Sequence, residues 1–544
     1  MNGIELILIA LIMYVVAYKL YGGFITKRLD VNNNKETPSH TMYDGVDYVP
    51  AKTPVLLGHH FASIAGAGPI VGPVIAAGFG WLPVYLWVIF GAIFIGGVHD
   101  YSSIVASIRH QSKSIGFVIQ SYLGVNGKKL FLIFSWATLI LVIAVFTIIV
   151  ADTFTHIPGA GTSSILFILL AILFGLTSYK FKVPLWIATI VGVVLLFSSI
   201  PLGNLFPLQL DKLTWQLILF VYIFAASVTP VWILLQPRDY LNSFFLYVLM
   251  FGGVVGIFFA APSINLPAFS TFSLEKVGYL FPALFVTVAC GAISGFHSLV
   301  ASGTTAKQLN KETDGRIIGY GGMLIEGLLA VLSLVAVASM VNMEFIDLLM
   351  KQGPVAAFSL GVGRFINAIP ILNISIPLAQ TFTALAVSAF ALTSLDTATR
   401  LARFMFQEYF EVKNKPEIKS VFQNRFVATG ITVFFGAMLT FSGQTMSIWP
   451  VFGSANQLLA ALALLALTVW VANLKKGFLF LLIPMIFMFA VTLTALGMLV
   501  YQNFIIDNYA LSIISILLFA LSVLLGVKAY KVLVNGRELS GGTT

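Results

Sequence analysis

The feature that most constrains this chain is a succession of long apolar runs. Fifteen nearly charge-free stretches lie at 3–25, 54–77, 81–108, 129–151, 162–179, 183–201, 214–235, 242–261, 279–302, 316–341, 373–398, 425–442, 448–473, 478–501 and 510–530. A helix crossing the hydrocarbon core of a bilayer needs about 20 such residues. Inside lipid only helices and closed barrels satisfy every backbone group, and runs of this length suit helices. Composition agrees, with 59% hydrophobic and 9% charged residues where a soluble domain carries about 25% charge. The sequence therefore predicts an all-α integral membrane protein of about 15 transmembrane helices.

Loop charge supplies a direction. If the N-terminus is outside and every run crosses, 25 of the 30 Lys and Arg residues fall in cytoplasmic segments, as the positive-inside rule requires. The C-terminus is then cytoplasmic. The +9 net charge reads as cytoplasmic loop charge and not as a nucleic-acid surface. The first run, Ile4–Phe24, has no basic leader or small-residue cleavage site and is expected to be a retained helix. One cysteine, Cys290, leaves no intrachain disulfide. Four regions follow: 1–53, an N-terminal helix and cytoplasmic loop; 54–398, a transporter core; 399–424, a cytoplasmic amphipathic connector; and 425–544, C-terminal helices and a short tail. Residues 114–127 suit a short interfacial helix, and 344–370 either a partly inserted hairpin or an ordinary external loop.

Within the second run lies GHHFASIAGAGPIVGP, Gly58–Pro73, with four glycines, Pro69, Pro73, His59 and His60. Proline removes a helix hydrogen bond and glycine permits non-helical angles. Irregular backbone at membrane depth survives only where protein buries it or it lines a cavity. The stretch therefore reads as a broken helix whose freed groups hold a substrate or ion; a kink with small-residue packing is the competing reading. Adjacent histidines cannot share a helix face, so at most one of His59 and His60 turns inward. Five runs later, 214–235 contains Ser227-Val-Thr229-Pro230 and ends near Gln236-Pro237. An odd offset places two breaks in oppositely directed helices, the pattern of inverted-repeat transporters. Runs two to eleven would form a ten-helix core, with one N-terminal and four C-terminal helices added.

Other polar groups cluster in the ninth run, where Ser294, His297, Ser298 and Ser302 precede Thr304 and Thr305. Ser294 and Ser298 share a helix face. Their hydroxyls beside unwound carbonyls suit a hard cation such as sodium, whereas His297 suits a proton; bonding of the hydroxyls to their own helix is the alternative. Glu326 is the carboxyl nearest mid-span. Asp100 reads as a cap or an interhelical pair, and Asp396 as an ordinary pair with Arg400 four residues on. GxGxxxG is not the dinucleotide fingerprint, no GxxxxGK[ST] phosphate loop is present, and no protease or metal-ligand spacing points to an intramembrane enzyme. A passive channel would favour a continuous polar stripe, and the polar groups here gather at breaks.

Three strings carry a resemblance. DGVDYVPAK followed by GHHFASIAGAGPIVGPVIAA, then GAISGFHSLVASGTT and ALTSLDTATRLARF, resemble the carbon starvation protein A (CstA) family from about residue 5 to at least 500. The resemblance implies a prokaryotic inner-membrane uptake transporter used when preferred carbon is scarce. Members are described as peptide transporters, and some as proton-driven pyruvate transporters. It further implies a fold like the amino acid–polyamine–organocation superfamily, with a LeuT-like 5+5 inverted-repeat core in which the ninth run carries a sodium site in sodium-coupled members. On that scheme the substrate carboxylate meets N–H groups of Ala65, Gly66, Ala67 and Gly68 and the hydroxyls of Ser227 and Thr229. The coupling ion, sodium or a proton, lies between carbonyls around Ala62–Ala65 and Ser294 and Ser298, or passes through His297 or Glu326. His59, His60, Asp100 and Asp396 are secondary candidates. No cofactor is expected. Pyruvate is preferred to a peptide because few charged groups line the expected site.

Overall fold

The computed structural model describes residues 2–44, 48–177, 183–230, 233–275, 277–410, 421–442 and 445–535. Apart from a two-residue antiparallel pair, Ser273–Leu274 with Gly278–Tyr279, regular structure there is helical. The helices used below are α1 (Gly3–Leu29), α2 (Thr53–Ile64), α3 (Gly68–Ala76), α4 (Trp81–Arg109), α5 (Gly124–His156), α6 (Pro158–Gly175), α7 (Leu185–Leu205), α8 (Lys212–Val228) and α9 (Leu235–Ala260). They continue with α10 (Leu280–Thr287), α11 (Gly295–Val300), α12 (Arg316–Ala338), α13 (Asn342–Gln352), α14 (Pro354–Asn367), α15 (Ile376–Tyr409), α16 (Arg425–Ser442), α17 (Thr445–Asn473), α18 (Leu479–Ile505) and α19 (Tyr509–Asn535).

All fifteen apolar runs carry helix. Among the described residues, eleven helices are long and apolar enough to cross a membrane, and the pair around 65–67, bent by 46°, makes a twelfth if counted as one span. Lys212–Val228 and Leu511–Val527 are apolar but shorter. The exposed side chains of the outer helices are themselves apolar: Val191, Val194, Phe251, Phe434 and Ile483 are all more than half exposed. In water such a surface would aggregate, whereas lipid tails accept it. At the centre sit α3, α12, α15 and α17, and the candidate spans α12 and α17 are about nine-tenths buried within the protein.

The first expected break is present. α2 ends at Ile64, Ala65 leaves helical angles (φ −76°, ψ 64°), and α3 starts at Gly68 with Pro69 in its first turn. Proline there lacks only an N–H that a helix start leaves unpaired. The second expected break is not where the proline placed it. α8 runs unbroken to Val228 and stops, with Thr229 extended (φ −75°, ψ 145°). A residue before proline is driven to such angles, so Pro230 terminates a helix here and does not kink one. The ninth run is the one interrupted: α10 stops at Thr287, 288–294 are irregular, and α11 begins at Gly295. It continues through a π-helical turn, Ala301–Thr305, to Gln308.

Two connections also resolve. Ile115–His156 carries a sharp kink at Gly124 (φ 73°), which makes 115–123 the expected short helix. Residues 342–367 form a helical hairpin turning at Gly353 (φ 84°), an angle that favours glycine. Its second arm packs on α9, α12 and α15. The connector expected to begin at 399 does not begin there, because α15 continues without interruption to Tyr409; residues 411–420 lie outside the described part.

Candidate functional site

The two broken helices cross at their breaks. A methyl on Gly68 would lie 2.3 Å from Cys290 Sγ, and one on Gly72 would lie 2.5 Å from the Thr287 carbonyl oxygen. Each break exposes helix-end groups that need partners, and neighbouring helices supply several. Trp449 Nε1 donates to the Thr287 carbonyl at 3.2 Å, Trp87 Nε1 to Val288 at 3.0 Å, and Gln457 Nε2 to Phe285 at 2.8 Å. The far side of the second break is capped by Asn456, whose Oδ1 accepts from the Phe296 amide at 3.0 Å while its Nδ2 donates to Ser294 Oγ at 3.0 Å. α11 lies so close to α17 that a Cβ on Gly295 would be 2.4 Å from the Asn456 carbonyl oxygen.

In the first break, the Ala65 amide bonds the Phe61 carbonyl at 2.9 Å and the Gly66 amide bonds Ile64 at 2.8 Å. Ala67 and Gly68 open α3, where a helix leaves its N–H groups unpaired. Of the four amides expected to meet a carboxylate, those of Ala65 and Gly66 are thus already bonded within the chain, and those of Ala67 and Gly68 lie at the helix start. Ser394 of α15 stands against this stretch, its Oγ 2.4 Å from where a Gly66 Cβ would be. Among the described residues that hydroxyl has no hydrogen-bond partner although it is buried.

Beneath the crossing lies a buried ionisable network. Asp100 of α4 is held by two histidines: His99 Nδ1 is 2.8 Å from its Oδ1 and His297 Nδ1 is 2.8 Å from its Oδ2. The other side of the His297 ring faces Glu326 of α12, with 3.4 Å between Nε2 and Oε2. His60 of α2 joins from below, its Nδ1 2.8 Å from Thr305 Oγ1. Asp100, His99, His297, Glu326 and His60 are all fully buried. Both oxygens of Glu326 and Nε2 of His60, His99 and His297 make no hydrogen bond among the described residues. Burying polar atoms without partners is unfavourable by about 1–3 kcal/mol each, and so compact a cluster of them makes this the candidate site. π-helical turns sit next to three of these residues: Ala92–Gly96 before Asp100, Ala301–Thr305 after His297, and Arg316–Gly321 before Glu326. Such turns recur at functional sites.

The structure therefore gathers Ala62, Ala65–Gly68, His60, Asp100, Ser294, His297, Ser298 and Glu326 about one crossing. His60 turns inward while His59 is half-buried. The hydroxyls expected to hold sodium are already engaged, Ser294 with Asn456 and Ser298 with the Gly295 carbonyl at 2.7 Å. Ser227 and Thr229 are not part of this site. They end α8, where Ser227 Oγ lies 3.2 Å from Thr429 Oγ1 and Thr229 bonds back to Ala225. Asp396 does not pair with Arg400. It forms a buried ion pair with Arg238 of α9 and accepts from Tyr222 Oη at 2.8 Å, while Arg238 also holds Asp239 at 3.0 Å. Arg400 instead reaches the carbonyls that end α8.

Sequence reasoning missed Asn456, Ser394 and Arg238. Asn456-Gln457 is a polar pair in the middle of the run 448–473, and that was the available signal. Arg238, adjacent to Asp239 at the start of a run, resembles a loop charge until its partner on α15 is seen.

Residues 2–351 and 343–495 match the family described as "Carbon starvation protein CstA". A protein named "Peptide transporter CstA" from Bacillus subtilis (strain 168) is 32% identical, over 98% of this chain and 97% of its own length. A protein of the same name from Escherichia coli (strain K12) is 31% identical, over 87% of this chain and 78% of its own. The "Pyruvate/proton symporter BtsT" of the same organism is also 31% identical over the same shares. Among solved structures, a mutant manganese transporter from Eremococcus coleocola aligns with 89% of the chain and 98% of its own at 10% identity and a TM-score of 0.46, too remote to carry a topology across. The relatives are named transporters and not enzymes, and the apolar helices make this a multi-pass membrane protein, in line with a bacterial inner membrane. The chain belongs to the CstA family of transporters.

Proposed function

We propose that this chain takes up short peptides by alternating access, coupled to protons. The observation that carries the reading is His297 set between the carboxyls of Asp100 and Glu326, at the crossing of two broken helices. A histidine changes charge near neutral pH, and here a change would be felt by the backbone at both breaks. Ala67 and Gly68, at the positive end of α3, suit a substrate carboxylate. Glu326, whose oxygens have no hydrogen-bond partner among the described residues, suits the ammonium of a peptide. That weakens the reason for preferring pyruvate, the small number of charged groups at the expected site. The peptide-transporter names of the relatives support the same substrate. Pyruvate is the second reading, favoured by the relative named as a pyruvate/proton symporter.

The reading includes fifteen crossings with the N-terminus outside and the C-terminus cytoplasmic, and a LeuT-like repeat core within runs two to eleven that now rests on the family resemblance alone, because the two breaks lie seven and not five runs apart. The partner of the first broken helix becomes the ninth run in place of the seventh. The offset stays odd, so the two broken helices still run in opposite directions. Uptake of a labelled dipeptide and of labelled pyruvate into proteoliposomes, under proton and sodium gradients imposed separately, tests it. Accumulation of dipeptide driven by the proton gradient is expected. Accumulation driven by sodium alone, or downhill flux only, would overturn it.

A further inference from the structure

The Thr229-Pro230 terminus and the arginines of α15 form a second cavity, apart from the helix crossing. A pocket of about 300 Å³ is lined by Thr229, Pro230, Arg400, Arg403, Gln407 and Arg425, with Phe404 at its rim. Among the described residues no acidic side chain lines it. Arg400 Nη2 donates to the carbonyls of Ala226 at 3.0 Å and Thr229 at 2.7 Å, and Arg403 Nη1 donates to Ser227 at 2.6 Å. These bonds cap the end of α8 and fix both guanidiniums. A helix C-terminus offers only roughly half a negative charge, so three arginines there are far from neutralised. Asp396, one turn before Arg400, and Asp239 share the single Arg238, which leaves about one of their charges against the three arginines. Nε of Arg400 and of Arg403 has no partner among the described residues, and Arg403 is only 6% exposed. Three guanidiniums thus line one cavity with no carboxylate among its described lining residues, an arrangement that suits an anion.

We propose that this pocket binds a phosphate group. Guanidinium forks match phosphate oxygens in pairs, and arginine is preferred to lysine for that geometry. Phosphate of this kind comes from two sources: the headgroup of an anionic phospholipid or a soluble phosphate ester. Phe404 and Phe426, each about half exposed, flank the site. Exposed aromatic rings beside a basic pocket at a helix end are the setting in which membrane proteins hold anionic headgroups.

The test uses the purified full-length chain in detergent, with binding followed by thermal shift and by native mass spectrometry. The probes are short-chain phosphatidylglycerol, inorganic phosphate, and short-chain phosphatidylcholine as a zwitterionic control. Arg425→Gln removes an exposed cation without touching the cap of α8, and Arg403→Gln removes the buried one. Each should weaken binding about tenfold, the worth of one charge-assisted hydrogen bond. Binding of phosphatidylglycerol alone identifies a lipid headgroup; binding of inorganic phosphate, with or without the lipid, identifies a soluble ester. Both results support the site. No binding of either anion, phosphatidylcholine binding as tightly as phosphatidylglycerol, or affinities unchanged in Arg425→Gln would overturn it.

Discussion

At the scale of single residues, two buried charge clusters carry different loads. Arg238 and Asp396 are both fully buried and paired. Removing one partner of such a pair strands the other charge, at about 3–5 kcal/mol. Arg238→Met should therefore lower the thermal midpoint sharply, because it strands Asp396 and Asp239 together, and Arg238→Met with Asp396→Leu should recover part of the loss. A double variant as unstable as the single one would show that the pair does more than balance charge. Gly68 behaves differently from what its place in the sequence suggested. The sequence places its N–H at a substrate carboxylate, but even a methyl on it would overlap Cys290. Gly68→Ala should destabilise the fold by about 1–3 kcal/mol through overpacking, and Cys290→Gly should rescue it. Failure of the rescue would mean that the glycine serves the ligand and not the packing. Asp396 also shows the limit of reading residues along one helix. Its spacing to Arg400 was visible, but the arginine that wins comes from α9, 158 residues away.

At the scale of elements, the first break was legible because its signal is local: Pro69 next to Gly66 and Gly68 ends one helix and starts another, although Pro73 and Gly72 turn out to lie inside the second helix. The second was not, because nothing in Val288–Ser294 forbids a helix. It is held open by partners from elsewhere, Trp87, Trp449, Gln457 and Asn456. Pro230 drew attention to α8, yet a proline that ends a helix looks the same in sequence as one that breaks it. Asn456→Ala should cost about 1–2 kcal/mol, the value of an N-cap, and should impair uptake more than stability because α11 carries His297. Equal losses in Asn456→Ala and in a surface control would contradict that role. The α13–α14 hairpin, neither arm of which is among the candidate spans, is clasped by Arg364 and Glu344, with contacts of 3.1 and 2.5 Å. The arginine's hydrogen bonds hold the Glu344 carboxyl below its usual range. A carboxylate with a depressed folded-state pKa stabilises above its unfolded value and loses that contribution as pH falls through the folded one. Protection factors of the hairpin amides, taken relative to the intrinsic exchange rate at each pH, should therefore fall as the pH drops below about 4.5, and Arg364→Gln should remove that change.

For the whole molecule, hydropathy made the class plain, and loop charge gave a direction that labelling can check. Cysteine placed at the exposed Lys351 should react with impermeant reagents from outside, and at Lys311 only from inside; the reverse pattern would invert the proposed topology. Buried Cys290 should not interfere. What hydropathy could not give is how α2, α4, α11 and α12 come together, since residues 60, 100, 297 and 326 meet only through tertiary packing. The account rests on that meeting. The most direct measurement compares His297→Gln with the parent chain in proteoliposomes, scoring both substrate exchange at equilibrium and accumulation driven by a proton gradient. Exchange should persist while accumulation is lost, because the broken helices still bind substrate but no longer carry the proton. Accumulation that still follows the proton gradient in His297→Gln would contradict the account.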